Sequence, residues 1–198
     1  MTHSTHHAEA TRVRNYSALR IDSMFNKILV AIDLSDLAEH VVEVAIAQAK
    51  KTGGNLLLLH VINVHEKEFP QLEGYISGSY NPEAFDVEAQ SYEQYWKSYE
   101  QMGLHTLQAH SKRAIAAGIG AEFTQQTGDL VGNSGETICA IAQEREADLI
   151  IIGHRGLSGV KELIQGSVSN YVFHHASCSV LSVHHPITIK TEPVPAHI

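Results

Sequence analysis

Asp148-Leu149-Ile150-Ile151-Ile152 runs directly into Gly153-His154-Arg155-Gly156. The first five residues read as a buried parallel strand: a short, β-branched apolar run launched by one acid. A glycine straight after such a strand lets backbone come close to something, and a second glycine three residues on widens the opening. Gly166-Ser167-Val168 then stands where a new helix should begin. Exposed N–H groups at a helix start, beside a glycine and a hydroxyl, suit an anion such as phosphate. The stretch therefore predicts a strand, a phosphate-cradling loop and a helix.

Working outward, the same grammar recurs. Lys27 to Asp33 is a buried strand with an acid at its carboxyl end, and Ser35 or Asp36 is placed to cap the following helix. That helix is expected to run to Lys51 on Leu37, Val41, Val44, Ala45 and Gln48, and Gly53-Gly54 stops it. Asn55 to Val61 is a second strand. From Asn63 to Pro82 the pattern dissolves into a long irregular loop. Helix resumes near Phe85 and extends to Ala117, with Gly103 as an expected kink. The aromatic stripe Tyr92, Tyr95, Trp96 and Tyr99 reads either as helix-packing surface or as cover for a ligand or partner. Ala121 to Thr127 alternates and suits a sheet edge. A flexible link through Gly135, a helix from Glu136 to Glu146, the strand Asp148 to Ile152, a helix from Ser167 to His174 and the strand Ser179 to Val183 complete the series.

Five strands alternating with helices predict an α/β fold, a single doubly wound parallel five-stranded sheet of flavodoxin- or Rossmann-like type with helices on both faces. Residues 1–24 read as a mobile tail, 25–185 as one domain with a long loop at about 63–90, and 186–198 as a loose C-terminal tail. Glu66 to Gln90 is expected to be poorly ordered without ligand. The chain has 198 residues, 43% hydrophobic and 18% charged, which suffices for one sizeable core. A formal net charge of -8 argues against general affinity for nucleic acid or anionic membrane. Cys139 and Cys178 read as buried free thiols of a reducing compartment. Met1 to His7 lacks the apolar core of a signal peptide, so a cytoplasmic protein is expected. His3, His6 and His7 read as solvated tail residues rather than metal ligands.

In doubly wound sheets, ligands bind at strand carboxyl ends where the strand order reverses. If strands one and four are neighbours there, Asp33 and Gly153 share one crevice. Asp33 then accepts from a ribose hydroxyl, the loop from Gly153 to Ser167 wraps phosphates, and Val61 offers backbone to an adenine. Plainer readings stand beside these: Asp33 as a helix cap, Gly153 and Gly156 as turn glycines, Arg155 in solvent rather than forked onto phosphate. His154 reads as solvated rather than catalytic, and Lys161 and Glu162 as surface charges.

With these residues in place the chain resembles the universal stress protein family. The resemblance rests on Lys27 to Asp33 with Ser35 after it, on His60-Val61 closing strand two, and above all on Gly153-x2-Gly156-x9-Gly166-Ser167, which matches the family's ATP-binding pattern G-x2-G-x9-G-(S/T). Ala176 to Val183 resembles the closing strand, with Ser179 where the family usually has proline. The resemblance spans Phe25 to His185 and implies an adenine nucleotide alpha hydrolase-like fold. It also implies an ATP or AMP ligand, with Mg²⁺ as companion of ATP, held by Ala31, Ile32, Asp33, Val61, Gly128, Gly153, Arg155, Gly156, Gly166, Ser167, Val168 and Ser169. Asp33 would take the ribose, Val61 the adenine, and Gly153, Arg155, Gly156, Gly166, Ser167 and Val168 the phosphates. It further implies a homodimer, often paired through the last strand, here Val180 to Val183. The family has ATP-binding and non-binding branches, and the intact glycine pattern points to the binders. A regulatory stress-response protein is the function expected. The alternatives are a slow ATPase or nucleotidyl-transfer relative, and a dimeric scaffold with a vestigial pocket. No G-x4-G-K-(S/T) lysine and no evident general base favour catalysis.

Overall fold

The computed structural model describes residues 24–63, 82–128, 133–154 and 167–185, with residues 82–90 described as backbone only. The expected loop beyond Asn63, the tails, and the Arg155, Gly156 and Gly166 positions lie outside the described residues.

Five strands and four helices alternate: β1 (Lys27–Ile32), α1 (Leu37–Thr52), β2 (Asn55–Ile62), α2 (Pro82–Ala116), β3 (Ala121–Thr127), α3 (Ser134–Glu144), β4 (Leu149–Gly153), α4 (Ser167–His175) and β5 (Ser179–Val183). The strands form one sheet in the order β3-β2-β1-β4-β5, and every neighbouring pair is parallel. The fold class is that expected. Strand order reverses between β1 and β4, and the alternating strand β3 is at an edge.

Because side chains alternate across a strand, each face of the sheet has its own core. Ile28, Val30, Leu56, Leu58, Leu149 and Ile151 pack with α1 and α2. Leu29, Leu59, Val61, Ile150 and Ile152 pack with Ile138, Ala142 and Val172 of α3 and α4. Asp148 has a definite structural part: its carboxylate accepts from the backbone N–H of Asn26 at 2.8 Å and of Lys27 at 3.2 Å, tying the start of β1 to the start of β4.

Several boundaries differ from the sequence reading. Pro82 stands at the head of α2, where its missing N–H costs nothing, so residues 82–90 belong to helix rather than loop. The helix runs unbroken through Gly103. Glycine is needed there because a Cβ would lie 2.5 Å from His60 Nδ1 and 2.9 Å from Gln125 Oε1. The residue serves close approach, not a kink. α3 begins at Ser134, inside the expected link, with Asn133 Oδ1 accepting from Glu136 N at 3.3 Å. Gly135 is helical, and its bareness admits the Tyr171 side chain of α4, whose Cβ lies 2.8 Å and ring Cδ1 2.9 Å from where a Cβ would sit. The buried stripe of α1 is Leu37, Ala38, Val41, Val42, Ala45, Ile46 and Ala49, with Val44 and Gln48 only half-buried. Cys139 and Cys178 are free but half-buried rather than fully enclosed, and burial pushes both thiols up from their ordinary value. Tyr99 is buried with Ile62, and Leu34, Tyr92 and Trp96 pack against that pair, so this part of the aromatic stripe packs against the fold; Tyr95 is exposed.

Candidate functional site

The β1–β4 ladder pairs Ala31 with Ile152, a register that sets Ile32 beside Gly153 and Asp33 beside His154 at the carboxyl end of the sheet. The two-residue period then sorts the polar groups. Leu29 and Ala31 face α3 and α4, and Asp33 follows just past the end of β1. Leu57, Leu59 and Val61 lead in the same way to Asn63, and Ile150 and Ile152 lead to His154. Three polar residues from three adjacent strands thus share the carboxyl end of the sheet, Asn63 and His154 on the α3/α4 face.

Each is held. The carboxylate of Asp33 folds back on the β1–α1 turn, where Oδ1 accepts from Ser35 N at 3.0 Å and from Ser35 Oγ at 2.5 Å. The turn chemistry is Asp33's own. Asp36, at the N-cap position, makes no side-chain cap bond, contrary to the expectation for Ser35 or Asp36. Asn63 Nδ2 donates to Ser134 Oγ at 3.0 Å, and both residues are buried, so the end of β2 is fastened to the start of α3. His154 is half-buried rather than solvated. Its Nδ1 is 3.1 Å from Ser169 Oγ in the first turn of α4, and its ring lies against that of His184 with centroids 4.7 Å apart.

The remaining expected residues fall around this frame. Ala31 and Ile32 are buried at the end of β1. The Val61 side chain is core, so what it offers at the strand end is backbone. Gly128 caps β3, its N–H donating to Ile62 O at 2.9 Å; a Cβ there would meet that carbonyl at 3.2 Å. Gly153 lies against α1, where a Cβ would come 3.0 Å from Leu37 Cδ2 and 3.3 Å from Val41 Cγ2. The close approach it permits is to that helix. Ser167, Val168 and Ser169 form the first turn of α4, with Ser167 exposed and Ser169 buried. Arg155, Gly156 and Gly166 are outside the described residues.

Sequence reasoning missed Asn63, Ser134 and the bond made by His154. The alternation that placed the strands, carried two residues past each strand end, is the signal that finds Asn63 and His154. Among the described residues no group of three or more His, Cys, Asp or Glu side chains is arranged to hold a metal ion. A groove of about 660 Å³ opens at the opposite, amino end of the sheet, between Lys27, Asn55, Glu122 and Glu146. It is distant from the strand reversal, and no ligand chemistry points to it.

The universal stress protein family model matches residues 24–184. A universal stress protein of Synechocystis sp. is 34% identical over 81% of this chain and 99% of its own length. A universal stress protein of Bacillus subtilis is likewise 34% identical, over 81% of this chain and 99% of its own. Among solved structures, a universal stress protein family protein from Arabidopsis thaliana with AMP bound superposes with a TM-score of 0.53 at 23% identity, covering 81% of this chain and 92% of that one.

Proposed function

The chain belongs to the universal stress protein family, and from that premise we propose that it binds an adenine nucleotide at the β1–β4 reversal and serves as a regulatory dimer in a stress response. The observation that carries this is the arrival of Asp33 and the Gly153-His154 turn together at the strand reversal, with the first turn of α4 tied to the same end through His154 and Ser169. The Asp33 carboxylate, whose Oδ1 accepts from Ser35, is an acceptor of the kind that ribose hydroxyls require. The backbone beyond Val61 and at Gly128 borders the place of the base. The motif Gly153-x2-Gly156-x9-Gly166-Ser167 supplies N–H groups to phosphates, with Arg155 as a fork-shaped partner. ATP or AMP is the ligand, and Mg²⁺ accompanies ATP. A relative carrying AMP supports the class of ligand.

We read the protein as a nucleotide binder with at most slow ATP hydrolysis, because its sequence carries no G-x4-G-K-(S/T) lysine for phosphoryl transfer. It works in the cytoplasm, and the edge strand β5 is the surface for a second copy. Equilibrium titration with ATP, ADP, AMP and cyclic AMP is the test. ATP or AMP is expected to bind, and an Asp33→Ala, Gly166→Val double variant to lose at least tenfold in affinity. Full affinity in that variant would sink the site assignment.

A further inference from the structure

The sheet has two edges, and β3 forms one of them. Gly120 O accepts from Leu56 N, and Gly128 N–H donates to Ile62 O, so the even-numbered residues of this strand turn their backbone toward β2. The backbone groups of Ala121, Phe123, Gln125 and Thr127 therefore point outward. Edge strands are commonly blunted by lysine, proline, a bulge or shortness. β3 has seven residues in unbroken register with β2, and its one charge is Glu122.

The flank beside this edge is apolar. α2 lies over the seam between β2 and β3, because a Cβ on Gly103 would meet His60 of β2 and Gln125 of β3 together. The buried stripe Gly103, Leu107, His110 and Ala114 divides the helix into two sides. Arg113 is on one side and donates to Glu39 and Glu43 of α1. Ser111 is on the other, and its Oγ donates to Ala121 O at 3.3 Å. Leu104 and Ile115 stand at helical spacing from Ser111, so they border β3. They are 41% and 57% exposed. Phe123, paired with Leu58 on the same face of the sheet, is 41% exposed.

Antiparallel pairing of β3 with the same strand of a second copy, about Thr124, engages all seven residues. It matches outward-facing backbone to outward-facing backbone, sets Glu122 opposite Gln126, and brings the two Phe123 rings to diagonal positions within aromatic reach. A strand spacing of about 4.8 Å then leaves the two α2 helices about 10 Å apart, the distance at which helices pack. A lone peptide strand would satisfy the backbone but leave Leu104 and Ile115 in water. A second copy brings its own α2 to cover them.

We propose that the β3 edge, with Leu104, Ile115 and Phe123 beside it, is an isologous interface for a second copy of this chain. It is separate from any pairing at β5 and does not depend on nucleotide. Where β5 pairs as well, the β3 interface joins dimers into larger assemblies.

The test is sedimentation of the full chain over a range of concentrations, at about 0.15 M salt to screen its net charge of -8. Wild type should associate as concentration rises. Phe123→Lys sets two cations near the twofold axis and should weaken association about tenfold or more. At a fixed concentration it should at least halve the mass of the largest species, whether or not β5 also pairs. Circular dichroism checks that the variant folds. Thr124→Cys gives a second readout that does not rest on the first variant. Directly opposed residues of this kind stand about 4.5 Å apart at Cα, within disulfide reach. Oxidised glutathione should convert Thr124→Cys to a reducible cross-linked dimer that wild type, with Cys139 and Cys178 alone, does not form. A wild type that stays monomeric, an unchanged mass in folded Phe123→Lys, or no cross-link in Thr124→Cys would overturn the proposal and leave the edge to a different strand.

Discussion

His60 of β2 and His154 just past β4 stand near the carboxyl end of the same sheet, with β1 between them, yet on opposite faces. His60 is 1% exposed beneath α2, and among the described residues neither of its ring nitrogens finds a partner in hydrogen-bond geometry. Gln125 Oε1, which faces the same gap under Gly103, is also unpartnered. His154 is half-buried on the α3/α4 face and bonded to Ser169. The α1/α2 face is sealed by a continuous helix whose buried stripe is Tyr99, Gly103, Leu107, His110 and Ala114. The α3/α4 face ends instead in side chains fastened in pairs: Asp33 to Ser35, Asn63 to Ser134, His154 to Ser169. His60 on the first face is a polar group whose cost is absorbed by packing. On the second face the polar groups are oriented, as a binding site requires.

The comparison breaks most sharply at Gly103. Glycine to alanine inside a helix ordinarily stabilises by about 1 kcal/mol. Here the added methyl would collide with the His60 ring and Gln125, and overpacking of this kind costs about 1–3 kcal/mol. Gly103→Ala should therefore destabilise the fold by about 2 kcal/mol in chemical denaturation. His60→Ala in the same chain should make the combined loss smaller than the sum of the two. A neutral or stabilising Gly103→Ala would mean that the α1/α2 face is not closed over His60.

His60 also gives this face a pH signature. Burial holds its ring below the ordinary value of 6.5, with Asp33 and Gln125 opposing that more weakly. His110, on the same helix interface, is lowered by burial too, with Glu39 opposing and Arg113 adding to it. Below pH 6.5 the unfolded chain binds protons that the folded chain refuses, so stability falls as pH drops through that value, until the folded rings themselves titrate. The steepest slope from one such ring is about 1.4 kcal/mol per pH unit. Denaturation midpoints measured from pH 7.5 to 5.5 should fall, and His60→Gln should flatten part of the fall. An unchanged slope in that variant would remove His60 as the source.

What was legible in the chain follows the same division. Buried strands such as Leu56 to Leu59 and Leu149 to Ile152 are apolar on both faces, so their sequence alone specifies a parallel sheet covered by helices. The reversal between β1 and β4 was a supposition in sequence, and the ladder supplies it. In the candidate site, what was legible is the place of Asp33 and Gly153 at the ends of β1 and β4, where buried strands give way to a turn. The site was not legible where two side chains meet across the chain. Nothing local marks Asn63 as the partner of Ser134, 71 residues away, or His154 as that of Ser169. Gly103 misled for a related reason: a glycine within a helix reads as a break when the atom that needs the space comes from another strand.

The mildest expected effect tests whether the pairs on the α3/α4 face orient the site or merely fill it. Asn63→Ala removes the donor to a buried hydroxyl and should cost about 1 kcal/mol of stability. The Asn63→Ala, Ser134→Ala double variant should cost less than the two single losses added together, because no lone buried acceptor then remains. If the pair orients the end of β2 against α3, both single variants should also weaken adenine-nucleotide binding several-fold while the chain stays folded. If they shift the denaturation midpoint but leave nucleotide affinity untouched, the Asn63–Ser134 bond is packing, and the two faces differ less than their hydrogen bonds suggest.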